Sequence, residues 1–263
     1  QSPDTDSTGS PIIWSWYLKE KKGLSAVPKL LGEPNTEALF VLDHWGFEKP
    51  AIINNINKGE SVIIVDTNNP AELPENINDA DIQGIIDHHK LVGGLETSGP
   101  IDITIRPVAC TATIMFDLMG DDVSDMPDPI KGLALSCIIS DTLEFRSPTT
   151  TSRDREVAEW LAKDLKIDVS DYASKLFRAK SDVSDFSDAE LLRMDSKKYP
   201  IADLMFRVSV LETTEPDMIF RRKSSLIEAM ETVCAEDSVD HVLFFVVDIL
   251  KEESTLFVPN KNV

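Results

Sequence analysis

Apolar runs and helically spaced apolar positions alternate along the first two thirds of the chain, and several runs end in acids or histidines. Leu24 to Leu31 predicts a strand, and after the turn Gly32-Glu33-Pro34-Asn35 the positions Ala38, Leu39, Val41 and Leu42 predict a helix. Val62-Ile63-Ile64-Val65 is unbroken and β-branched, the pattern of a strand buried on both faces of a parallel sheet, and it ends at Asp66. Ile82 to Ile86 is a second such run and delivers Asp87, His88 and His89. Ile101 to Ile105 alternates as a strand, and Arg106 to Thr113 leads into a helix reaching about Met119. Ile130 to Ser140 predicts an apolar helix closing in Asp141-Thr142, and helices over 154–165 and 169–179 complete this half.

Before the first strand, Pro3 to Pro11 is turn chemistry. Ser10 is expected as the N-cap and Pro11 as the first residue of a helix running from Ile12 to Lys22. Asp4 and Asp6 then stand two apart in an extended segment. Beyond the Ser/Asp-rich stretch 180–188, the pattern predicts a helix at 189–194, a strand at 205–210, a helix at 217–233 and strands at 242–249 and 254–258. The expected class is α/β: a doubly wound, mainly parallel sheet domain over 1–179, a linker over 180–188, and a smaller α/β domain over 189–263.

Composition narrows the partners. Among 263 residues, 26 basic side chains face 46 acidic ones, a formal charge of -20 that argues against binding to a nucleic-acid backbone. Such a protein binds anions only through local positive charge, and divalent cations are the obvious source where carboxylates gather. Mean hydropathy is -0.13, and no window approaches the roughly 18 apolar residues of a membrane span. Three widely spaced cysteines and no CxxC pair suggest neither a disulfide framework nor a zinc ribbon, so a reducing cytoplasm is the expected compartment.

In open α/β sheets, ligand sites gather at the carboxyl ends of the strands, where Asp66 and the Asp87-His88-His89 run fall. Asp4, Asp6, Asp66, His88 and Asp141 are hard oxygen and borderline nitrogen donors, suited to Mn²⁺, Co²⁺ or Mg²⁺. Carboxylates buried together without cations each face a desolvation cost of roughly several kcal/mol, so convergence of this set implies bound metal. Two such ions bridged by one carboxylate lower the pKa of a shared water and hold a phosphoryl group for in-line attack. The hydroxyl-rich segment 110–113 offers helix N-terminal amides to an anion such as phosphate, with Arg106 near enough in sequence to help. Arg221-Arg222-Lys223 reads as a solvated helix face.

These residues carry a resemblance. The segments PDTDS at 3–7, LGEPN at 31–35, VDTNNP at 65–70, IDHHKLVGG at 86–94, CTATI at 110–114 and SDTLEFRSPTTT at 140–151 resemble the family II inorganic pyrophosphatases of the DHH phosphoesterase superfamily. The resemblance covers nearly the whole chain. It implies a DHH domain, a smaller DHHA2-like domain closing over pyrophosphate, and two Mn²⁺ or Co²⁺ ions per site, with Mg²⁺ arriving with substrate. It implies that Asp4 and Asp66 bind one ion, that Asp6, Asp66, His88 and Asp141 bind the other, and that a metal-bridging hydroxide is the nucleophile. His89 and Lys197 would contact substrate, with Lys198 the alternative register for the lysine, and Arg146 would join them from its loop position. Asp87 would orient a histidine ring. A homodimer through the DHH domain is a further implication.

The family's metal-binding His four positions before the first Asp of its PDTD motif would fall just ahead of Gln1. Its Ser-Arg-Lys segment would fall after Val263, so the second domain is expected to be incomplete. Related expectations are an exopolyphosphatase or oligonucleotide phosphodiesterase using the same chemistry, or a catalytically weak phosphate- or metal-binding regulator.

Overall fold

The computed structural model of the chain describes residues 2–184 and 186–259. Its first helix, α1, spans Thr5–Lys22, with Asp4 in extended backbone accepting the Ser7 amide at 2.9 Å. Asp6 and Pro11 therefore lie inside the helix, whereas Asp6 was expected in an extended segment and Pro11 at the helix start. A carboxylate cap followed by an acid in the first turn is a stronger start signal than Ser10. It offsets the proline, whose missing N–H leaves the Ser7 carbonyl without its helical donor.

The chain divides into two compact units, Gln1–Leu176 and Phe177–Val263. In the first, β1 (Lys29–Leu30) pairs in parallel with β2 (Ala51–Ile52), and α2 (Thr36–Trp45) lies between them in sequence. The strand expected over 24–31 shrinks to two residues, because Leu24 and Val27 find no cover and stay 55% and 68% exposed. β3 (Ser61–Val65), β4 (Asp81–Asp87) and β5 (Asp102–Ile105) form a second parallel sheet in the order β3-β4-β5. β3 is not buried on both faces as its sequence suggested: Ile64 is buried, but Ile63 is 36% exposed. It is an edge strand, and a cleft of about 930 Å³ lined by both β3 and β1 takes the place of a covering layer.

Four helices complete this unit: α3 (Thr111–Met119), α4 (Asp128–Thr142), α5 (Ser152–Leu165) and α6 (Val169–Lys180), the last running across the division. α4 is buried along nearly its whole length from Ile130 to Ser140, as its apolar run predicts. α1 packs against it closely at Gly9, where a Cβ would lie 2.5 Å from the Cys137 Sγ. That approach brings the start of α1 near the end of α4.

The second unit holds α7 (Asp188–Leu191), β6 (Ser196–Ile201), β7 (Leu204–Thr213), α8 (Pro216–Phe220), α9 (Lys223–Asp237), β8 (His241–Asp248) and β9 (Glu253–Phe257). Its sheet runs β6-β7-β8-β9, with β7 and β8 parallel and the outer pairs antiparallel. Leu191, Leu192, Leu226, Met230, Val233, Val242 and Phe244 fill the core, and Val183 packs with them. The helix expected over 217–233 is two helices. Arg222 stands at the break and is tied down: its guanidinium donates to Asp188 and to the carbonyls of Val183 and Phe186. Among the described residues no helix is long and apolar enough to cross a membrane.

Candidate metal centre

Four segments meet at the carboxyl ends of β3 and β4. The ladder extends one residue past β3, where the Asp66 amide donates to the Ile86 carbonyl at 2.9 Å. Asp66 itself turns left-handed (φ 64°), a conformation in which Asp is among the better-tolerated residues. β4 ends on Asp87, which is fully buried and whose Oδ1 accepts the backbone amides of His88 and His89 at 2.8 and 3.0 Å. The same oxygen meets His89 Nδ1 at 2.9 Å, and Asn68 donates to Oδ2. Burial alone would raise this carboxyl, but the hydrogen bonds from His89 and Asn68 outweigh it and hold it at about 2.

His88 turns the other way. Its Nδ1 lies 3.2 Å from the Val108 carbonyl, which fixes that nitrogen as the donor and leaves Nε2 facing Asp66 Oδ1 at 3.5 Å. Two groups of potential ligand atoms result, each with its atoms within 4.8 Å of one another: Asp66, His88 and His89, and Asp6, His88 and Asp141. Asp6 comes from the first turn of α1 and Asp141 from the last turn of α4. Asp4 joins neither group, being engaged as the cap of α1, but its charge reaches Asp141. Arg146 is paired with Glu144.

Lys197 lies on β6 in the second unit, exposed and with no partner among the described residues, while neighbouring Lys198 donates to the Asp237 carbonyl. Successive strand residues face opposite ways, so the two lysines are not equivalent.

Several polar groups hold the carboxylates in ways the sequence did not indicate. Ser7 Oγ and Thr111 Oγ1 donate to Asp66, and Ser10 Oγ donates to Asp6 at 2.7 Å. The hydroxyl-rich start of α3 was expected to receive phosphate; instead its Thr111 amide donates to Asp6 Oδ2 at 2.6 Å. Arg106 is paired with Asp117 at 2.9 Å. Beyond Asp141 the chain makes three consecutive left-handed residues, Leu143, Glu144 and Phe145, with φ of 48°, 53° and 67°.

The donor set fits a hard divalent cation. It offers carboxylate oxygens and imidazole nitrogen without thiolate, and Asp141 Oδ2 is a buried atom with no partner among the described residues. Burial, and after it the nearby charge of Asp66, pushes the Asp6 carboxyl up to about 6. Burial, with Asp6 and Asp4 adding repulsion, raises Asp141 well above the usual carboxylate range. A cation removes that repulsion.

The DHH family, N-terminal domain, matches residues 1–140, and the DHHA2 domain matches residues 174–263. A protein of Deinococcus radiodurans named a probable manganese-dependent inorganic pyrophosphatase is 39% identical over 98% of this chain and 83% of its own length. A Staphylococcus haemolyticus protein of the same name is 34% identical over the same shares. The chain belongs to the family II inorganic pyrophosphatases.

Among solved structures, a Methanococcus jannaschii protein assigned to the family II inorganic pyrophosphatases aligns with a TM-score of 0.70 and 31% identity, over 99% of this chain and 86% of that one. An exopolyphosphatase-related protein of Bacteroides fragilis shares the fold, with a TM-score of 0.56 at 16% identity over 97% and 75% of the two chains. As in the sequence expectation, this family II chain is α/β, with parallel-strand sheets in its DHH part.

The titration of His88 gives the family II site a pH signature. Burial would lower its pKa, but the Asp66 hydrogen bond and the charges of Asp6 and Asp66 outweigh it and raise the ring from 6.5 to about 9. Between those values the metal-free folded state binds the proton that the unfolded chain has released. The stabilisation is full below about pH 6.5 and is lost as pH rises through about 9. Ion binding needs the neutral ring, so it has the opposite trend. The melting temperature of chelated protein should therefore fall from pH 6.5 to 9 while the increment from added Mn²⁺ grows. A chelated protein whose melting temperature rises over that window contradicts the assignment of His88.

Proposed function

We infer that this chain catalyses the divalent-metal-dependent hydrolysis of inorganic pyrophosphate to two phosphates. The observation that carries the reading is the convergence of Asp6, Asp66, His88 and Asp141 at the strand ends of a chain of this family. These residues would hold divalent ions, which when bound would neutralise phosphoryl charge and acidify water. Mn²⁺ is the first ion to test, since the relatives' names specify it; Co²⁺, two ions per site and Mg²⁺ accompanying substrate belong to the same reading. So do a role for Asp4 at one ion and a homodimer formed through the first unit.

The protein's own groups divide the remaining work. Asp66 is the proposed shared ligand of both ions. His88 offers Nε2 to an ion because Val108 occupies its Nδ1. His89 is proposed to face substrate: its side chain is 56% exposed, and Asp87 holds its Nδ1. The Asp87 hydrogen bond also raises the ring's pKa, which keeps a proton at hand for the departing phosphate. Lys197 and Arg146 are proposed to meet phosphoryl oxygens, Arg146 by exchanging its bond to Glu144 for one to substrate.

Phosphate release from pyrophosphate, tripolyphosphate and a dinucleotide tests the reading. Pyrophosphate should be preferred by at least about tenfold in kcat/KM, roughly 1.4 kcal/mol; preference for either longer substrate points to the polyphosphatase or phosphodiesterase alternative. The histidines separate in the same assay. Replacing His89 by Ala should slow turnover by about 10²-fold, the range of a lost general acid, with Mn²⁺ affinity kept. Replacing His88 by Ala should weaken Mn²⁺ binding itself. The reverse pattern would show the two roles exchanged.

A further inference from the structure

Glu37 is a carboxylate with no direct place in the groups described above, yet it is fully buried. It sits in the first turn of α2, which Asn35 caps by accepting the Ala38 amide at 2.8 Å. A negative charge is favoured there by the helix dipole. A single oxygen, Oε1, accepts from two hydroxyls far apart in the chain: Thr5 Oγ1 at 2.7 Å, and Ser140 Oγ. Thr5 lies between Asp4 and Asp6 at the start of α1, and Ser140 immediately precedes Asp141 at the end of α4. Two further bonds brace the same junction. The Asn35 amide donates to the Pro3 carbonyl at 2.9 Å, and Cys137 Sγ donates to the Thr5 carbonyl at 3.3 Å.

We propose that Glu37 is a positioning residue for the metal centre: by gripping Thr5 and Ser140 with one oxygen, it sets the spacing of Asp6 and Asp141 and thereby the affinity for the divalent ion, without touching that ion. Asp6 and Asp141 repel one another, and each arrives on a separate helix. Something must hold the two helix ends together before an ion binds. Packing at Gly9 brings α1 and α4 close, but side-chain packing fixes a ligand oxygen less tightly than a charge-assisted hydrogen bond does. A carboxylate acceptor suits the task because one oxygen carries more than one lone pair and accepts both hydroxyls at once. Groups that orient ligands in this way are typically worth about 10–100-fold in metal affinity.

This inference rests on the reading that Asp6 and Asp141 hold the ion, and the experiment keeps the two apart. Mn²⁺ affinity is measured by the electron paramagnetic resonance of free Mn²⁺ on the full chain and on Glu37→Ala, Glu37→Gln and Asp141→Asn, with thermal unfolding in chelator as the check on folding. Glu37→Ala should weaken Mn²⁺ binding by about 10–100-fold. Glu37→Gln, which keeps an acceptor oxygen, should recover most of it. If Glu37→Ala does not fold, Thr5→Val and Ser140→Ala remove the two donors while leaving Glu37 in place, and their combination should weaken binding by at least about tenfold. Unchanged Mn²⁺ affinity in a folded Glu37→Ala, or in the Thr5/Ser140 double variant, overturns the proposal even if stability falls. Wild-type affinity in Asp141→Asn, or no binding by the unmodified chain, overturns the underlying assignment of the site.

Discussion

Removal of divalent ions by a chelator is expected to abolish pyrophosphate hydrolysis, and Mn²⁺ is expected to restore it. Without a cation, Asp6, Asp66 and Asp141 surround one imidazole, and burial with mutual repulsion pushes Asp6 up to about 6 and raises Asp141 well above the usual carboxylate range. The metal-free site is therefore a partly protonated acidic cluster, which repels a polyanionic substrate. The ions are asked to supply several kcal/mol of transition-state stabilisation, so the loss should be about 10³-fold or more. Phosphate release after exhaustive chelation, followed by titration with Mn²⁺, reads this directly. Persistence of more than about a tenth of the activity in chelator would remove the metal from the scheme.

Changing Asp66 to Asn should be nearly as damaging, with kcat reduced by about 10²–10³-fold or more and Mn²⁺ affinity lowered with it. This residue shares one group of potential ligand atoms with both imidazoles. Asn tolerates the left-handed backbone that Asp66 adopts, so the substitution removes charge without forcing the turn after β3 to move. Loss of that charge weakens the hydrogen bond and removes part of the field that keep His88 protonated, so its pKa should drop from about 9. In chelator the variant should still fold and show a cooperative thermal transition. An unfolded variant would mean that Asp66 is structural; a folded one with more than about a third of the activity would mean that it is not the shared ligand.

How much of this could be read from sequence depended on whether a residue's role showed in its neighbours. The run from Ile82 to His89 was legible because a buried strand that ends in an acid and two imidazoles has few other uses. Asp4 and Asp6 were legible as acids but not as helical ones, since Pro11 suggested a later start than the Asp4 cap imposes. β6 was missed because Ser196 to Ile201 is polar and carries Pro200, and its hairpin turns through a left-handed Ala202 (φ 52°) without the expected Gly or Asn. Arg222 looked like one of three solvated charges, and only folding shows the two carbonyls it answers.

Glu37 and Thr111 were invisible for a related reason. A Glu in the first turn of a helix and a Thr at a helix start are locally unremarkable, and their partners lie 103 and 105 residues away at the farthest. Long-range hydrogen bonds leave no periodic trace in the chain.

The left-handed run from Leu143 to Phe145 bears on how this protein could be hardened against heat. Non-glycine residues in that conformation cost roughly 1–2 kcal/mol each, and the run follows directly on the helix end that presents Asp141. Glycine at 143, the usual choice for such a helix terminus, would release part of that strain and raise thermal tolerance. It would also soften the peg on which a ligand hangs. An engineer seeking durability would find the most accessible gain beside the residue least able to tolerate loosening, so here robustness and turnover compete for the same few bonds.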